Sequence, residues 1–253
     1  MHVDMSVKHP NSEHQAVIMD KMISSLGFSV VFSNLHITSK TQSTKKEIAD
    51  MIELNKKRSG SIPIDYHSTS TIVKNVLLPG EQYKYLTILN RVTFVMQNND
   101  NIDSLCKSLF PSLSELVDCF VIRPANENQL MELVSKREQI QYDFLSIDVS
   151  TGNFINQFGA VIKSLKPGHV AIELELAPCM SQLGNAVSQC RNGLNRVTCC
   201  FLSSGAKSAM ELRSPLDLTN WATGVFQLCN SEKNAAHVID SVFKKRVIRS
   251  NFP

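Results

Sequence analysis

Apolar positions along this chain switch repeatedly between the period of two expected of strands and the three-to-four spacing expected of helices. His2 to Val7 reads as a short opening strand. Ser12 with Gln15 then supplies a capping box for a helix whose stripe is Ala16, Met19, Met22, Ile23 and Leu26, and Gly27 ends it. Phe28 to Phe32 (FSVVF) is a β-rich run. Thr44 and Glu47 open a second helix through Ile48, Met51, Ile52 and Leu54, stopping near Lys56, Lys57 and Arg58.

After a Ser-, Thr-, Pro- and Gly-containing stretch from Ser59 to Gln82, which predicts an irregular excursion, the alternation resumes. Strand candidates lie at Tyr85 to Val95, Val117 to Ile122, Asp143 to Val149, Val170 to Leu176 and Val197 to Leu202. Helical patterns separate them around Ile102 to Leu109, Asn128 to Lys136, Phe154 to Leu165 and Met180 to Cys190. Ser214-Pro215 with Asp217 starts another helix through Leu218, Trp221 and Phe226, and a last helix from about Ser231 turns Ala235, Val238, Ile239 and Val242 inward. Seven βα-type units call for a parallel sheet covered by helices. That many repeats favour closure, so the expected fold is α/β, a single TIM-like (β/α) barrel domain over residues 1–253.

A chain of 253 residues with 43% apolar content can bury such a core. The net charge of +3 neither demands nor excludes a nucleic acid, since phosphates are met by local Lys/Arg clusters. The seven cysteines (Cys106, Cys119, Cys179, Cys190, Cys199, Cys200 and Cys229) contain no C-x-x-C pair, and are assigned to packing as reduced thiols. MHVDMSVKHP lacks the profile of a signal peptide and no apolar run is bilayer-length, so neither secretion nor a membrane is expected. Lys244, Lys245, Arg246 and Arg249 form a basic cluster at the end of the last helix.

Candidate chemistry is thin. His2, Asp4 and His9 lie near the first strand, where metallohydrolase barrels place a His-x-His pair, but the spacing is wrong for that pair. His36 and His169 stand near strand ends and His67 in the excursion, without the fixed spacing that joins two imidazoles. Glu173 and Glu175 share one side of a strand. They suit acid/base work at a barrel mouth, or else one pairs with a neighbouring Arg or Lys while the other faces solvent or a partner. Ser203-Ser204-Gly205-Ala206-Lys207-Ser208 lacks phosphate-loop spacing, leaving either a contact to one backbone phosphate or a simple turn. No cofactor and no metal are expected.

The stretch FLSSGAKSAMELRSPLDLTNW resembles the signature of the barrel-type ribonuclease P protein subunits, the family of the eukaryotic thirty-kilodalton subunit and its archaeal counterparts. Its pattern is a strand ending in Ser203-Ser204-Gly205-Ala206, then Glu211-x-Arg213-x-Pro215-x-Asp217 and Asn220. HVDMSV, LGFSVVFSN, LNRVTFV, VDCFVIRP, YDFLSID and VAIELELAP follow the family's order, so the resemblance spans nearly the whole chain. Leu176, Ala177 and Trp221 depart from it.

That resemblance implies a relative of the PHP-type phosphoesterase barrels without their metal ligands. It implies a non-catalytic, RNA-binding subunit of nuclear ribonuclease P, with catalysis in the RNA, supporting 5′ maturation of precursor tRNA. The implied partners are ribonuclease P RNA, the other protein subunits and, through sharing with ribonuclease MRP, that enzyme's RNA and ribosomal RNA processing. The implied location is the nucleus and nucleolus. Two alternatives stay open, a metal-dependent phosphoesterase and a protein scaffold without RNA contact.

Phosphate recognition needs cations at fixed positions. Arg213 is the first candidate, oriented by Glu211 or Asp217 unless these form only a structural ion pair. Lys207, Arg91 and Arg123 come next, in or just beyond strands and able to gather at one rim, with Ser203 and Ser204 beside them. Lys45/Lys46 and Lys56/Lys57/Arg58 are either an electrostatic footprint or a solvated face. Trp221 and Phe226 are either partner contacts or core.

Overall fold

The computed structural model describes residues 3–39, 44–59, 61, 86–148, 170–192, 199–228 and 230–251. His2, His67, His169, Cys229, the helix expected over Phe154 to Leu165 and nearly all of the excursion lie outside them. So do the side chains of Arg246 and Arg249.

Seven strands, β1 (Val3–Lys8), β2 (Val30–Ile37), β3 (Thr87–Val95), β4 (Cys119–Arg123), β5 (Phe144–Ile147), β6 (Ile172–Glu175) and β7 (Cys200–Ser203), run parallel in sequential order. Each expected strand is present. The second ends five residues beyond its apolar run, because Ser33, Asn34 and His36 are strand residues buried or nearly so by the barrel rather than by their own hydrophobicity.

The outer layer includes α1 (Glu13–Ser25), α2 (Thr44–Arg58), α3 (Ile102–Ser108), α4 (Phe110–Leu116) and α5 (Glu127–Ser135). After β6 come α6 (Leu176–Met180) and α7 (Leu183–Asn192), where the sequence pattern suggested one helix. Ser12 caps α1 by accepting the Gln15 amide at 3.2 Å, and Gln15 reaches one residue beyond the expected box, accepting the Asn11 amide at 3.0 Å. Gly27 follows with φ of 84°, the left-handed turn that ends the helix. At α8 (Pro215–Asn220) the expected start is a complete capping box between Ser214 and Asp217 with Pro215 in the first turn. One π-type turn, Trp221–Val225, continues it.

Outward-facing strand residues such as Val31, Val92, Phe94, Ile122, Leu145 and Leu174 pack under the helices. A second apolar cluster fills the barrel's lower interior, from Met5, Val30, Phe32, Leu89, Cys119, Val121, Phe144 and Phe201. These sit at the N-terminal halves of the strands. Val238, Ile239, Val242 and Phe243 of α9 (Ser231–Asn251) join the same cluster, so the C-terminal helix stoppers that end of the barrel. Cys119, Cys179, Cys190 and Cys200 are buried free thiols whose pKa burial raises, and Cys106 and Cys199 are half-buried. Among the described residues no helix is long and apolar enough to cross a membrane.

Above the apolar base the interior turns polar. Arg91 and Glu173, both fully buried, face each other across the barrel in a two-pronged ion pair at 2.6 and 2.5 Å. Arg91 also donates to the Met5 carbonyl and, at 3.2 Å, to Thr93 Oγ1, and it lies 5.0 Å over the Phe144 ring. Burial works against its charge, but Glu173 and then Glu175 raise its pKa nonetheless.

Closure is the weak seam of such a barrel. Among the described residues the one bridge that closes the sheet joins Val7 of β1 to Ala206, just after β7, with Lys8 N donating to Ala206 O at 2.8 Å. Asp4 supplements it. Its Oδ1 accepts the Ser204 amide at 3.1 Å and the Ser6 amide at 3.2 Å, and Ser204 Oγ donates to Ser6 O at 3.1 Å. A register shift in β1 between Asp4 and Val7 accompanies this arrangement, letting Met5 enter the apolar base while Ser6 joins the polar layer above.

Two stability outcomes follow from this construction. Burial, against the hydrogen bonds from Ser204 and Ser6, raises the Asp4 carboxyl from 3.8 to about 6. The folded chain therefore holds that proton more tightly than the unfolded one, so the contribution of Asp4 is most favourable below pH 4 and is lost as pH rises through 6. In urea titrations across that range, the stability of Asp4→Asn relative to the parent should rise with pH, by on the order of 2 kcal/mol; a constant difference would contradict the burial argument. For the interior pair, Arg91→Met or Glu173→Gln should each cost about 3–5 kcal/mol by leaving its partner's charge uncompensated. The double variant Arg91→Met/Glu173→Gln should cost clearly less than the sum, which a double-mutant cycle measures.

Candidate nucleic-acid interface

The polar layer continues upward to the C-terminal ends of the strands, where barrels carry their ligand-facing groups. Glu175, 3% exposed, is its hub: Arg123 Nη2 approaches at 2.6 Å, Ser6 Oγ donates at 2.5 Å and His36 Nε2 stands at 3.8 Å. Asn34 ties the set together, donating to Ser6 Oγ at 2.9 Å and accepting from Thr93 Oγ1 at 2.8 Å. Burial would raise the Glu175 carboxyl, but Arg123, then His36 and Arg91, hold it well below the usual carboxylate range. Burial lowers the His36 pKa against the pull of Glu175. His9 is lower still, at about 4, through burial and the Arg58 charge, and its Nδ1 lies 3.1 Å from Ser33 Oγ.

The two glutamates therefore share one face, as their spacing requires, but neither meets solvent. Each is answered by an arginine from another strand. The interior at this level is occupied by mutually bonded side chains rather than left open for a reactant. Among the described residues no three His, Cys, Asp or Glu side chains are grouped to hold a metal ion.

The phosphate-contact candidates divide by depth. Arg91 is fully buried and committed to Glu173, with no surface to offer a partner, which corrects its place at a rim. Ser203 and Ser204 are buried as well, Ser203 donating to Leu174 O at 3.4 Å and Ser204 serving the β1–β7 seam. Those hydroxyls work inside the fold. Arg123 stands at the inner edge of the mouth, 9% exposed, with Ser146 Oγ at 3.0 Å.

Lys207 is exposed on the loop after β7, and its amide donates to Glu211 Oε2 at 2.6 Å. Gly205 at φ of 60° turns that loop against Glu175: a Cβ there would lie 2.6 Å from the Glu175 Cβ. This close approach is the reason for a glycine at that point.

Arg213 is half-exposed, and neither expected carboxylate orients it. Glu211 is bonded to the Lys207 amide and Asp217 to the Ser214 cap, while Arg213 Nη1 donates to the Met210 and Leu212 carbonyls at 3.0 and 2.9 Å. The guanidinium is thus positioned by backbone, with Met210 and Leu216, 83% and 69% exposed, on either side in sequence. Trp221 is half-buried, packing on the core 6.2 Å from the ring of Phe226, which is fully buried.

Of the lysine- and arginine-rich runs, Arg58 is withdrawn into a two-pronged pair with Asp20 at 2.5 and 2.8 Å that ties α2 to α1. Lys57 pairs with Glu53 at 3.0 Å on the surface, and Lys45 and Lys46 are exposed. Lys245 reaches Asp143 at 3.2 Å. Lys8, the last residue of β1, belongs to no motif, and its position at a strand's C-terminal end is the one signal that marks it as a barrel-mouth residue.

No curated protein matches the chain significantly. Among solved structures, a chain in the cryo-EM structure of archaeal ribonuclease P with mature tRNA shares the fold at a TM-score of 0.60 and 13% identity, the match covering 95% of this chain and 90% of that one. The family model described as RNase P subunit p30 matches residues 1–248. Taken with the nearly closed parallel barrel, this places the chain in the ribonuclease P subunit p30 family.

Proposed function

We propose that this protein is a non-catalytic, RNA-contacting subunit of nuclear ribonuclease P that supports 5′ maturation of precursor tRNA, and that it is shared with ribonuclease MRP in ribosomal RNA processing. Its partners in this reading are the two enzymes' RNAs, their other protein subunits and, through the assembled complex, precursor tRNA. It works as a single barrel domain in the nucleus and nucleolus.

The observation that carries the non-catalytic part is the filled interior. Glu173 and Glu175, the two carboxylates suited to acid/base work, are each held by a buried arginine, and a general base must instead reach its substrate's proton. The RNA-contacting part rests on family membership together with Lys207 and Arg213, two cations presented outward by one loop-and-turn segment.

Two measurements test the reading. Depleting the protein from cells should make 5′-extended precursor tRNAs accumulate, whereas the purified chain alone, with or without added Zn²⁺ or Mn²⁺, should not cleave them; normal tRNA ends after full depletion would sink the proposal. Crosslinking in cells should join peptides around Lys207 and Arg213 to RNA, and Arg213→Ala should reduce the recovered RNA several-fold without altering the thermal stability of the chain. Protein crosslinks alone would point to a scaffold without RNA contact.

A further inference from the structure

Lys8 ends β1 beside the loop that follows β7: its amide donates to Ala206 O at 2.8 Å, which brings it next to Lys207. The same half-buried ammonium lies within electrostatic reach of Arg123, Glu175 and Glu211. Among the described residues neither Lys8 Nζ nor Lys207 Nζ has an ion pair or a hydrogen bond, and Arg123 Nε is buried with no partner. Lys8, Lys207 and Arg123 thus share this part of the mouth, and among the described residues neither lysine ammonium is paired with a carboxylate. Glu175 is already bonded to Arg123 and Ser6, and Glu211 to the Lys207 amide, so neither is free to quench Lys8.

Such a grouping is costly without an anion. Burial and the neighbouring Lys207 lower the Lys8 pKa, and both penalties fall when a negative charge is bound between the two. The interior below is filled to the level of Glu175, so the ligand sits on the rim rather than in a deep cavity. Of the polar side chains nearby, His36 Nε2 is turned inward to Asn34 Nδ2 at 3.1 Å, and Gln15 Nε2 donates to Lys207 O at 3.2 Å.

We infer that the barrel mouth binds a phosphate group between Lys8 and Lys207, with Arg123 fixing the inner edge of the site. Taking that phosphate to be one from an RNA backbone rests on the RNA-contacting function proposed above. A phosphodiester carries one negative charge, which two unpaired ammonium groups can share.

The test uses the full-length chain, a labelled single-stranded oligoribonucleotide and inorganic phosphate. Lys8→Gln keeps most of the stem while removing the charge. It should weaken RNA binding several-fold and lower the slope of log affinity against log salt by about 0.7, the loss of one single-strand phosphate contact. Lys8→Arg should restore both, and inorganic phosphate at matched ionic strength should raise the melting temperature of the parent more than that of Lys8→Gln.

If phosphate acts in this Lys8-dependent way but the RNA slope is unchanged, the site takes free phosphate and its assignment to RNA is overturned. If Lys8→Gln equals the parent in both assays, the mouth site itself is overturned. In that last case, RNA binding that still falls in Arg213→Ala leaves the broader RNA-contacting function standing.

Discussion

The buried pairing of Arg91 with Glu173 is the interaction on which the barrel interior depends. A parallel barrel must fill its own middle, and this one does so with apolar side chains only in its lower half. Above that level the strands carry charge, and a charge taken out of water needs an opposite charge and hydrogen bonds at close range. Arg91 meets the condition with Glu173 on β6 and the Met5 carbonyl on β1. One side chain therefore connects three strands that lie far apart around the sheet.

The layer above repeats the solution with Glu175 and Arg123, and the repetition has consequences for function. Two glutamates on one strand face are placed as a general acid and base would be, yet each lies against a guanidinium that keeps it occupied. Near the mouth, the cations that stay accessible include Lys207, Arg213 and the half-buried Lys8. This distribution suits contact with an anionic polymer even though the chain's net charge is only +3.

The seam between β1 and β7 joins fold and site. Asp4 and Ser204 hold the two end strands together, and the same junction sets Lys8 beside Lys207. Gly205 allows the connecting loop to lie against Glu175. The segment from Ser203 to Asn220 therefore combines closure of the barrel, through its buried serines, with the presentation of Lys207 and Arg213.

Much of the architecture was legible in the linear pattern, since strand and helix periods and the Ser12 and Ser214 caps are local properties of the chain. The polar half of β2 was not, because Ser33, Asn34 and His36 become strand residues only where neighbouring strands supply their partners. Arg91 was read as a rim cation for the same reason: spacing says which face of a strand a residue occupies, but not how deep in the barrel it sits or what stands opposite. By itself the sequence determined the repeating βα order, the family motif around Arg213 and the shared face of Glu173 and Glu175. Only the tertiary structure decided which charges cancel and which stay available, because Arg91 and Glu173, or Lys8 and Lys207, are brought together by closure across the barrel and not by any local spacing.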